Sequence, residues 1–187
     1  MTRYRPYATF WAVMLVVLVA DQVTKFFVVK HIEFFDPAIP ESGEIISVIT
    51  DVLRLVHVGN KGAAWGAGSG HDATQIFLVG LALGVIAFVW LKRRELLREL
   101  AGGQVAFGLF IGGAVGNVCD RLLREHVVDF VDIRLPFKLF GSYHWPAFNV
   151  ADACICIGVG LYFVFLWQQE KEMRRRIESQ SGGNPLV

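Results

Sequence analysis

Three groups of strongly polar side chains interrupt otherwise apolar stretches of the sequence, and their types suit acid–base chemistry. One group is Asn117, Asp120 and Arg121, which follow the glycine-rich run 112–116. On a helix these three residues share one face, because positions three and four apart are neighbours. A charged side chain at the centre of a bilayer costs roughly 2.5–3.5 kcal/mol on insertion scales, so such residues usually face a protein interior and mark a functional site.

The other two groups have the same helical spacing. Asp21 and Lys25 interrupt the first apolar segment of the chain, and Asn149 and Asp152 open the last one. For any one of these residues, an ion pair or a helix cap explains the sequence as well as chemistry does. Three groups on three apolar segments are harder to explain in this way, so we interpret them as parts of one site.

The elements that must position these side chains are membrane helices. The 187 residues are 54% hydrophobic and only 19% charged, whereas a soluble domain of this length carries more charge. A helix needs about 20 apolar residues to cross a bilayer. We therefore predict an all-α membrane fold, a single integral-membrane domain with spans at about 9–29, 74–91, 104–123 and 148–167.

The distribution of Lys and Arg sets the expected orientation of these spans. Ten of the 18 basic residues lie in three short segments that the positive-inside rule assigns to the cytoplasm. They are Arg3 and Arg5, then Lys92, Arg93, Arg94 and Arg98, and then Lys171, Arg174, Arg175 and Arg176. Both termini are thus expected to be cytoplasmic, with outer loops at 30–73 and 124–147 and a cytoplasmic tail at 168–187.

This topology brings the polar groups to one depth. The groups that begin at Asp21 and Asn117 lie near the outer ends of spans one and three, which run outward. Asn149 and Asp152 open span four, which runs inward, and Asp129 lies just above them in the second outer loop. Two aspartates brought together share one proton, so that one activates a water while its protonated partner polarises a carbonyl. The sequence therefore predicts metal-free peptide hydrolysis near the outer face.

Three other interpretations stay open. A Ser–Lys protease needs a serine nucleophile, but no serine belongs to the polar groups. A proton-coupled carrier uses intramembrane carboxylates as a relay, yet nothing polar continues to the inner face, and a structural subunit leaves the aspartates unexplained. No metal or phosphate motif is present, so we expect no metal and no cofactor. The candidate serines are Ser42, Ser47, Ser69 and Ser142.

Strand patterns in the outer loops predict a small extracytoplasmic sheet. Residues 52–58 are rich in β-branched side chains, and residues 130–135 precede a proline. Within the spans, glycines recur four residues apart, which allows helix backbones to approach closely in lipid. These pairs are Gly80 and Gly84, Gly108 and Gly112, and Gly112 and Gly116.

Five motifs together resemble the signal peptidase II family, bacterial intramembrane aspartyl proteases, and they occur in the family's order along nearly the whole chain. Two departures are Trp65, where the family usually has Phe, and a longer loop at 133–143. The motifs are Asp21-Gln22-Val23-Thr24-Lys25, Asn60-Lys61-Gly62-Ala63-Ala64-Trp65-Gly66, the run 112–121, Val127-Val128-Asp129-Phe130, and Trp145-Pro146-Ala147-Phe148-Asn149-Val150-Ala151-Asp152.

The resemblance implies that Asp129 and Asp152 are the catalytic pair and that Asp132 is not. It also implies an outer β-cradle and a short surface helix on the four-helix bundle, with residues 62–70 as lid elements. Supporting or substrate-positioning roles then fall on Asp21, Lys25, Asn60, Asn117, Asp120, Arg121 and Asn149.

The implied substrate is a prolipoprotein, cut on the amino side of a diacylglyceryl-modified cysteine in the bacterial cytoplasmic (inner) membrane. Membrane lipids are the other expected partners. Glutamates interleave with the basic residues of the tail, so we expect no nucleic-acid partner, and we expect a monomer.

Overall fold

The computed structural model describes residues 7–37, 39, 41–62, 72–139 and 142–181. Within these residues, four long helices are present, and all four are long and apolar enough to cross a membrane. The protein is therefore a multi-pass membrane protein, and the predicted fold with four membrane helices is confirmed. The helices are α1 (Ala8–His31), α2 (Asp72–Leu91), α3 (Gly103–Arg124) and α4 (Val150–Ser181).

Helix α4 continues well past the predicted end of its span at residue 167. Its last turns are polar and are supported by pairs such as Arg174 and Glu170, four residues apart, with Nη2 and Oε1 2.6 Å apart. On the same side of the bundle, a short π-helical segment, Glu95–Glu99, lies between α2 and α3.

Helix α3 lies at the centre of the bundle, and its glycines let α1 and α4 approach closely. A Cβ atom at Gly112 would lie 2.9 Å from the carbonyl oxygen of Met14 in α1, and one at Gly113 would clash with the backbone of Ala151 in α4. The packing predicted for the α3 glycines is confirmed. The same prediction for Gly80 and Gly84 of α2 is wrong, because no described atom lies within 4 Å of a Cβ placed at either position.

Four antiparallel strands form a sheet beside the bundle in the order β1-β2-β3-β4. Both predicted strands are confirmed, and the second is longer than expected, since it continues through Pro136. The expected short surface helix is not found among the described residues of 32–62 and 125–149. The expected lid positions 63–70 lie outside the described residues. The strands are β1 (Ile46–Ile49), β2 (Leu53–Asn60), β3 (Val127–Leu139) and β4 (Ser142–His144).

An apolar contact fixes the sheet to the bundle. Val128 and Phe130 of β3 pack against Val28 and Ile32 at the end of α1. Because side chains alternate along a strand, Asp129 between them points to the other face. The packing that anchors β3 thus also aims one of the two predicted catalytic aspartates.

Candidate active site

A fully buried charge cluster lies between α1 and α3. The Lys25 ammonium is 2.9 Å from Asp21 Oδ2 and 2.8 Å from Asp120 Oδ2, and all three side chains are 0% exposed. Two carboxylates and one ammonium leave a net charge of −1. Arg124, one turn after Asp120, pairs with the other oxygen of that carboxylate. The four side chains together are therefore neutral, as burial in a membrane protein requires.

This charge cluster also holds the backbone of the two elements that carry Asp129 and Asp152. The Ala151 N–H, at the start of α4, donates to Asp21 Oδ1 at 3.0 Å. The Val128 N–H, in β3, donates to Asp120 Oδ2 at 3.2 Å. Asp152 directly follows Ala151, and Asp129 directly follows Val128. The charge cluster therefore sets the separation of the two aspartates.

The side chain of Asp152 is oriented by a reciprocal cap at the start of α4. Asn149 Oδ1 accepts the Asp152 N–H at 2.9 Å, and Asp152 Oδ2 accepts the Asn149 N–H at 3.3 Å. This is the arrangement of a capping box, which satisfies two backbone donors at the helix end. A negative charge in the first turn is also stabilised by the helix dipole.

Asp129 is held by two amide side chains, one on each oxygen. Asn149 Nδ2 donates to Oδ1 at 2.7 Å, and Asn60 Nδ2 donates to Oδ2 at 3.0 Å. The side chain is nearly fully buried, at 2% exposed. Burial, and next the negative charge of Asp152, raise the pKa of Asp129 to about 7, while the two amide hydrogen bonds oppose this shift.

Asn117 connects the charge cluster to the aspartate pair. Its Nδ2 donates to Asp152 Oδ1 at 2.7 Å, and its Oδ1 accepts the Lys25 ammonium at 3.0 Å. Arg121, one turn later, donates from its guanidinium to the carbonyl oxygens of Asn117 and Gly62, each at 3.3 Å. Its buried Nε has no hydrogen-bond partner among the described residues, and this guanidinium lies at the cavity that contains the pair.

Both aspartates open onto one cavity of about 460 Å³. One wall is polar and is formed by the residues that hold the pair, and the other is mostly apolar and comes from α4 and the segment that leads into it. Such a mixture suits a peptide bond flanked by apolar groups. The lining residues are Asn60, Gly62, Asn117, Arg121, Val127, Asp129, Trp145, Pro146, Ala147, Phe148, Asp152, Ala153, Ile155 and Cys156.

The structure brings all nine predicted site residues into one connected network of hydrogen bonds and ion pairs. Sequence reasoning missed two further members. Gln22 Nε2 donates to both Asp21 Oδ2 and Asp120 Oδ1 at 3.1 Å, and Arg124 completes the charge balance. The spacing of four residues between Asp120 and Arg124 is a signal that could have found the second of these.

The rival residues lie apart from the cavity. Asp132 is bound to Arg54 and His144 on the sheet. Ser42 accepts the backbone N–H of Asp36 at 2.8 Å in the first outer loop. Ser47 and Ser142 lie on β1 and β4, and Ser69 and Trp65 are outside the described residues.

A bundle of membrane helices that brings a buried aspartate, Asp129, and a partly exposed one, Asp152, to one cavity is the arrangement of an intramembrane peptidase of the aspartic type. The model of the family "Signal peptidase (SPase) II" matches residues 13–168. The chain therefore belongs to the signal peptidase II family.

Individual relatives and solved structures agree with this assignment. The lipoprotein signal peptidase of Anoxybacillus flavithermus is 35% identical over 171 residues, covering 91% of this chain and 92% of the relative. That of Nitratidesulfovibrio vulgaris is 40% identical over 162 residues, covering 85% and 89%. A bacterial membrane enzyme solved by the in meso method at 2.3 Å resolution is similar with a TM-score of 0.66 at 30% identity, covering 88% of this chain and 90% of that one.

Proposed function

We propose that this protein removes the signal peptides of prolipoproteins by metal-independent aspartic proteolysis, with Asp129 and Asp152 as the catalytic pair. The observation that carries the assignment of residues is the shared cavity, in which Asp129 has a pKa of about 7 beside a second carboxylate. The cut falls on the amino side of a diacylglyceryl-modified cysteine. The names of the family and of its relatives support this choice of substrate.

The reaction begins with Asp129 protonated and Asp152 ionised. Asp152 takes a proton from water, the water oxygen attacks the scissile carbonyl carbon, and Asp129 gives its proton to the carbonyl oxygen. Asp129 then takes back a hydroxyl proton from the resulting diol while Asp152 protonates the leaving nitrogen, and the C–N bond breaks. Both carboxyl groups end in their starting states, so the pair turns over without a further reactant.

The surrounding residues hold the pair in this geometry. Asn60 and Asn149 each donate to one oxygen of Asp129, which fixes the orientation of this carboxyl group. Asn117 keeps Asp152 in hydrogen-bond contact with the Lys25 cluster. The Arg121 guanidinium, at the cavity wall, is suited to bind a carbonyl or lipid-ester oxygen of the substrate.

The proposed setting is the bacterial inner membrane, with both termini cytoplasmic and the active site near the outer face. The basic residues of the link at 92–102 and of the tail lie on the side opposite the sheet, in agreement with the positive-inside rule. A lipidated cysteine anchored in the outer leaflet would then present its amino-side bond at the depth of the two aspartates. We propose that the enzyme acts as a monomer, in which one chain supplies both aspartates and the side chains that hold them.

The test is cleavage of a diacylglyceryl-modified prolipoprotein by the purified protein in detergent or lipid, measured as a gel shift. Asp129→Asn and Asp152→Asn should each lower kcat by at least about a hundredfold, because both proton transfers lose a partner. Glu170→Gln removes an exposed carboxylate at the far end of α4 and should match the parent. A chelator should have no effect, and activity in either aspartate variant would show that the pair is misassigned.

A further inference from the structure

The described part of the segment 133–143, a segment whose length departs from the family pattern, is residues 133–139 and 142–143, and it helps to build a second cleft on the sheet. It forms the second half of β3 and most of β4, and it supplies four of the nine residues that line a cleft of about 580 Å³. This cleft shares no lining residue with the catalytic cavity. The lining residues are Ser47, Thr50, Asp51, Arg54, Arg134, Lys138, Ser142, Tyr143 and His144.

The cleft is predominantly basic. Arg54, Arg134 and Lys138 come from two strands, and Asp51 is the acidic residue of the lining. Arg134 pairs with Asp51 at 2.6 Å, but their side chains are 48% and 75% exposed, and exposed pairs of this kind contribute little in water. An anionic ligand can therefore compete for Arg134. The Lys138 ammonium lies over the ring of Tyr143, 5.3 Å from the ring centre, and both residues line the cleft.

A buried carboxylate fixes the floor of the cleft. Asp132 is 6% exposed, accepts the Arg54 Nε–H at 2.8 Å and lies 3.0 Å from Nδ1 of His144. These contacts join β2, β3 and β4 through their side chains. Asp132 is thus bound on both oxygens, and it is not among the residues that line the cleft. Arg54 is therefore held in place by a buried carboxylate.

The cleft and the catalytic cavity adjoin along the chain. His144 lines the cleft, and the next residue, Trp145, lines the cavity. The Trp145 N–H donates to the Ile133 carbonyl oxygen at 2.8 Å, which keeps this junction on β3. Arg134 follows Asp129 by five residues of one strand, roughly 17 Å at about 3.3 Å per residue. An extended peptide of about the same number of residues spans that distance.

We propose that this cleft binds an extended acidic segment of the mature lipoprotein chain, about residues 6 to 10 counted from the lipidated cysteine. The proposal rests on the function proposed above. The signal peptide lies in the membrane, so the part of the substrate that reaches the sheet is the chain beyond the cysteine. The basic lining then selects acidic side chains by charge complementarity, and the hydroxyl groups of Ser47, Thr50 and Ser142 accept or donate to its backbone.

The test compares three diacylglyceryl-modified substrates that differ only at mature residues 6 to 10, which are Asp/Glu, Gln/Asn or Lys. With the parent enzyme at low salt, KM should rise in that order, by about three- to tenfold overall, since exposed ion pairs are weak. The difference should shrink in 0.5 M salt. Moving the acidic block ten residues further along the substrate should remove its advantage.

Two double variants and one matched control complete the design. Arg134→Glu with Lys138→Glu should invert the order of KM, and Arg134→Gln with Lys138→Gln should abolish it even if the reversed variant folds poorly. Arg174→Glu with Lys171→Glu makes the same charge change at the far end of α4 and should keep the parental order. Equal KM values for all three substrates, or an order unaffected by both cleft variants, would overturn the proposal while leaving the proposed function intact. Failure of the parent to cleave any of them would overturn both.

Discussion

At the scale of single residues, the protonation of Asp129 makes the stability of the protein depend on pH. Its folded pKa is about 7, above the ordinary 3.8. Between about pH 4 and pH 7 the folded state keeps a proton that the unfolded state has released, so stability falls as pH rises through this window. At about 1.4 kcal/mol per pKa unit, the free energy of unfolding changes by on the order of 4 kcal/mol across this window.

Asp129→Asn should remove this pH dependence. The introduced amide faces the Nδ2 donors of Asn60 and Asn149, so the variant is less stable by an amount that does not depend on pH. The informative quantity is therefore the slope of stability against pH. The melting temperature of the parent in detergent should fall from pH 5 to pH 7 relative to that of the variant. Glu170→Gln should follow the parent, and parallel curves for parent and Asp129→Asn would contradict a raised pKa.

The same proton limits activity at high pH. The proposed reaction needs Asp129 protonated, so kcat should fall about tenfold per pH unit once the pH exceeds about 7. The pH profile of single-turnover cleavage measures this limb directly. A rate that stays level up to pH 9 would mean that the carbonyl receives its proton from another group.

Residue types and spacing were sufficient to find most of the site. The three polar groups share helix faces because of helical periodicity, and the predicted topology places them at one depth. The sequence alone therefore predicts that Asn117, Asp120 and Asp152 lie close together. Choosing Asp129 over Asp132 came from family resemblance, since both are strand aspartates. Gln22 was missed because its role depends on reaching across to Asp120 on another helix, which no local pattern encodes.

At the scale of elements, glycines on α3 decide how closely the helices carrying the site can pack. A Cβ at Gly116 would lie 2.5 Å from Asp21 Oδ2, so Gly116→Ala should push that carboxylate off Lys25 and the Ala151 N–H. We expect a loss of about 1–3 kcal/mol from overpacking together with reduced cleavage. Thermal unfolding and turnover of the same preparation test both.

Gly80→Ala in α2 is the matched control. No described atom lies within 4 Å of the added Cβ, and Ala is favoured over Gly by about 1 kcal/mol in a helix. This variant should be as stable as the parent or more so. Destabilisation of equal size in both variants would show that the loss at Gly116 does not come from the contact with Asp21.

Buried charge balance gives a second prediction for these elements. Arg124→Leu leaves Asp21, Lys25 and Asp120 with a net charge of −1 inside the bundle. Because the Arg124 side chain is 26% exposed, we expect a loss of about 1–3 kcal/mol, less than for a fully buried ion. Arg124→Lys should restore most of it. Denaturation of the three proteins at one pH measures the difference, and an unchanged stability of Arg124→Leu would mean that solvent balances the cluster.

Element boundaries were predictable where apolar length or alternation set them, as for α1 and β2. The strand β1 was not predicted, because Ile46–Ile49 is short and exposed along its whole length and so has no buried face to mark it. The extension of β3 through Pro136 was not predicted either. The added part of β3 pairs with β4, which follows it in the chain. This pairing depends on the formation of a hairpin, and the local strand propensity around a proline does not indicate it.

At the scale of the whole molecule, the orientation in the membrane determines which compartment the active site serves. Helix α4 has 32 residues, about 48 Å at 1.5 Å per residue, whereas the hydrocarbon core is about 30 Å thick. Its charged last turns must therefore leave the bilayer, and its first turn carries Asp152. The end at Ser181 and the sheet thus lie on opposite sides of the membrane, and labelling either one fixes the position of the pair.

Labelling of single cysteines by a membrane-impermeant maleimide in intact bacterial cells tests this orientation. In a background with Cys119, Cys154 and Cys156 changed to alanine, Val48→Cys on the exposed face of β1 should react from outside. Ile177→Cys, exposed near the end of α4, should react only after the inner membrane is permeabilised. The reverse pattern would place the aspartates at the cytoplasmic surface, where the lipidated cysteine of an exported precursor does not arrive, and would contradict the proposed substrate as well as the topology.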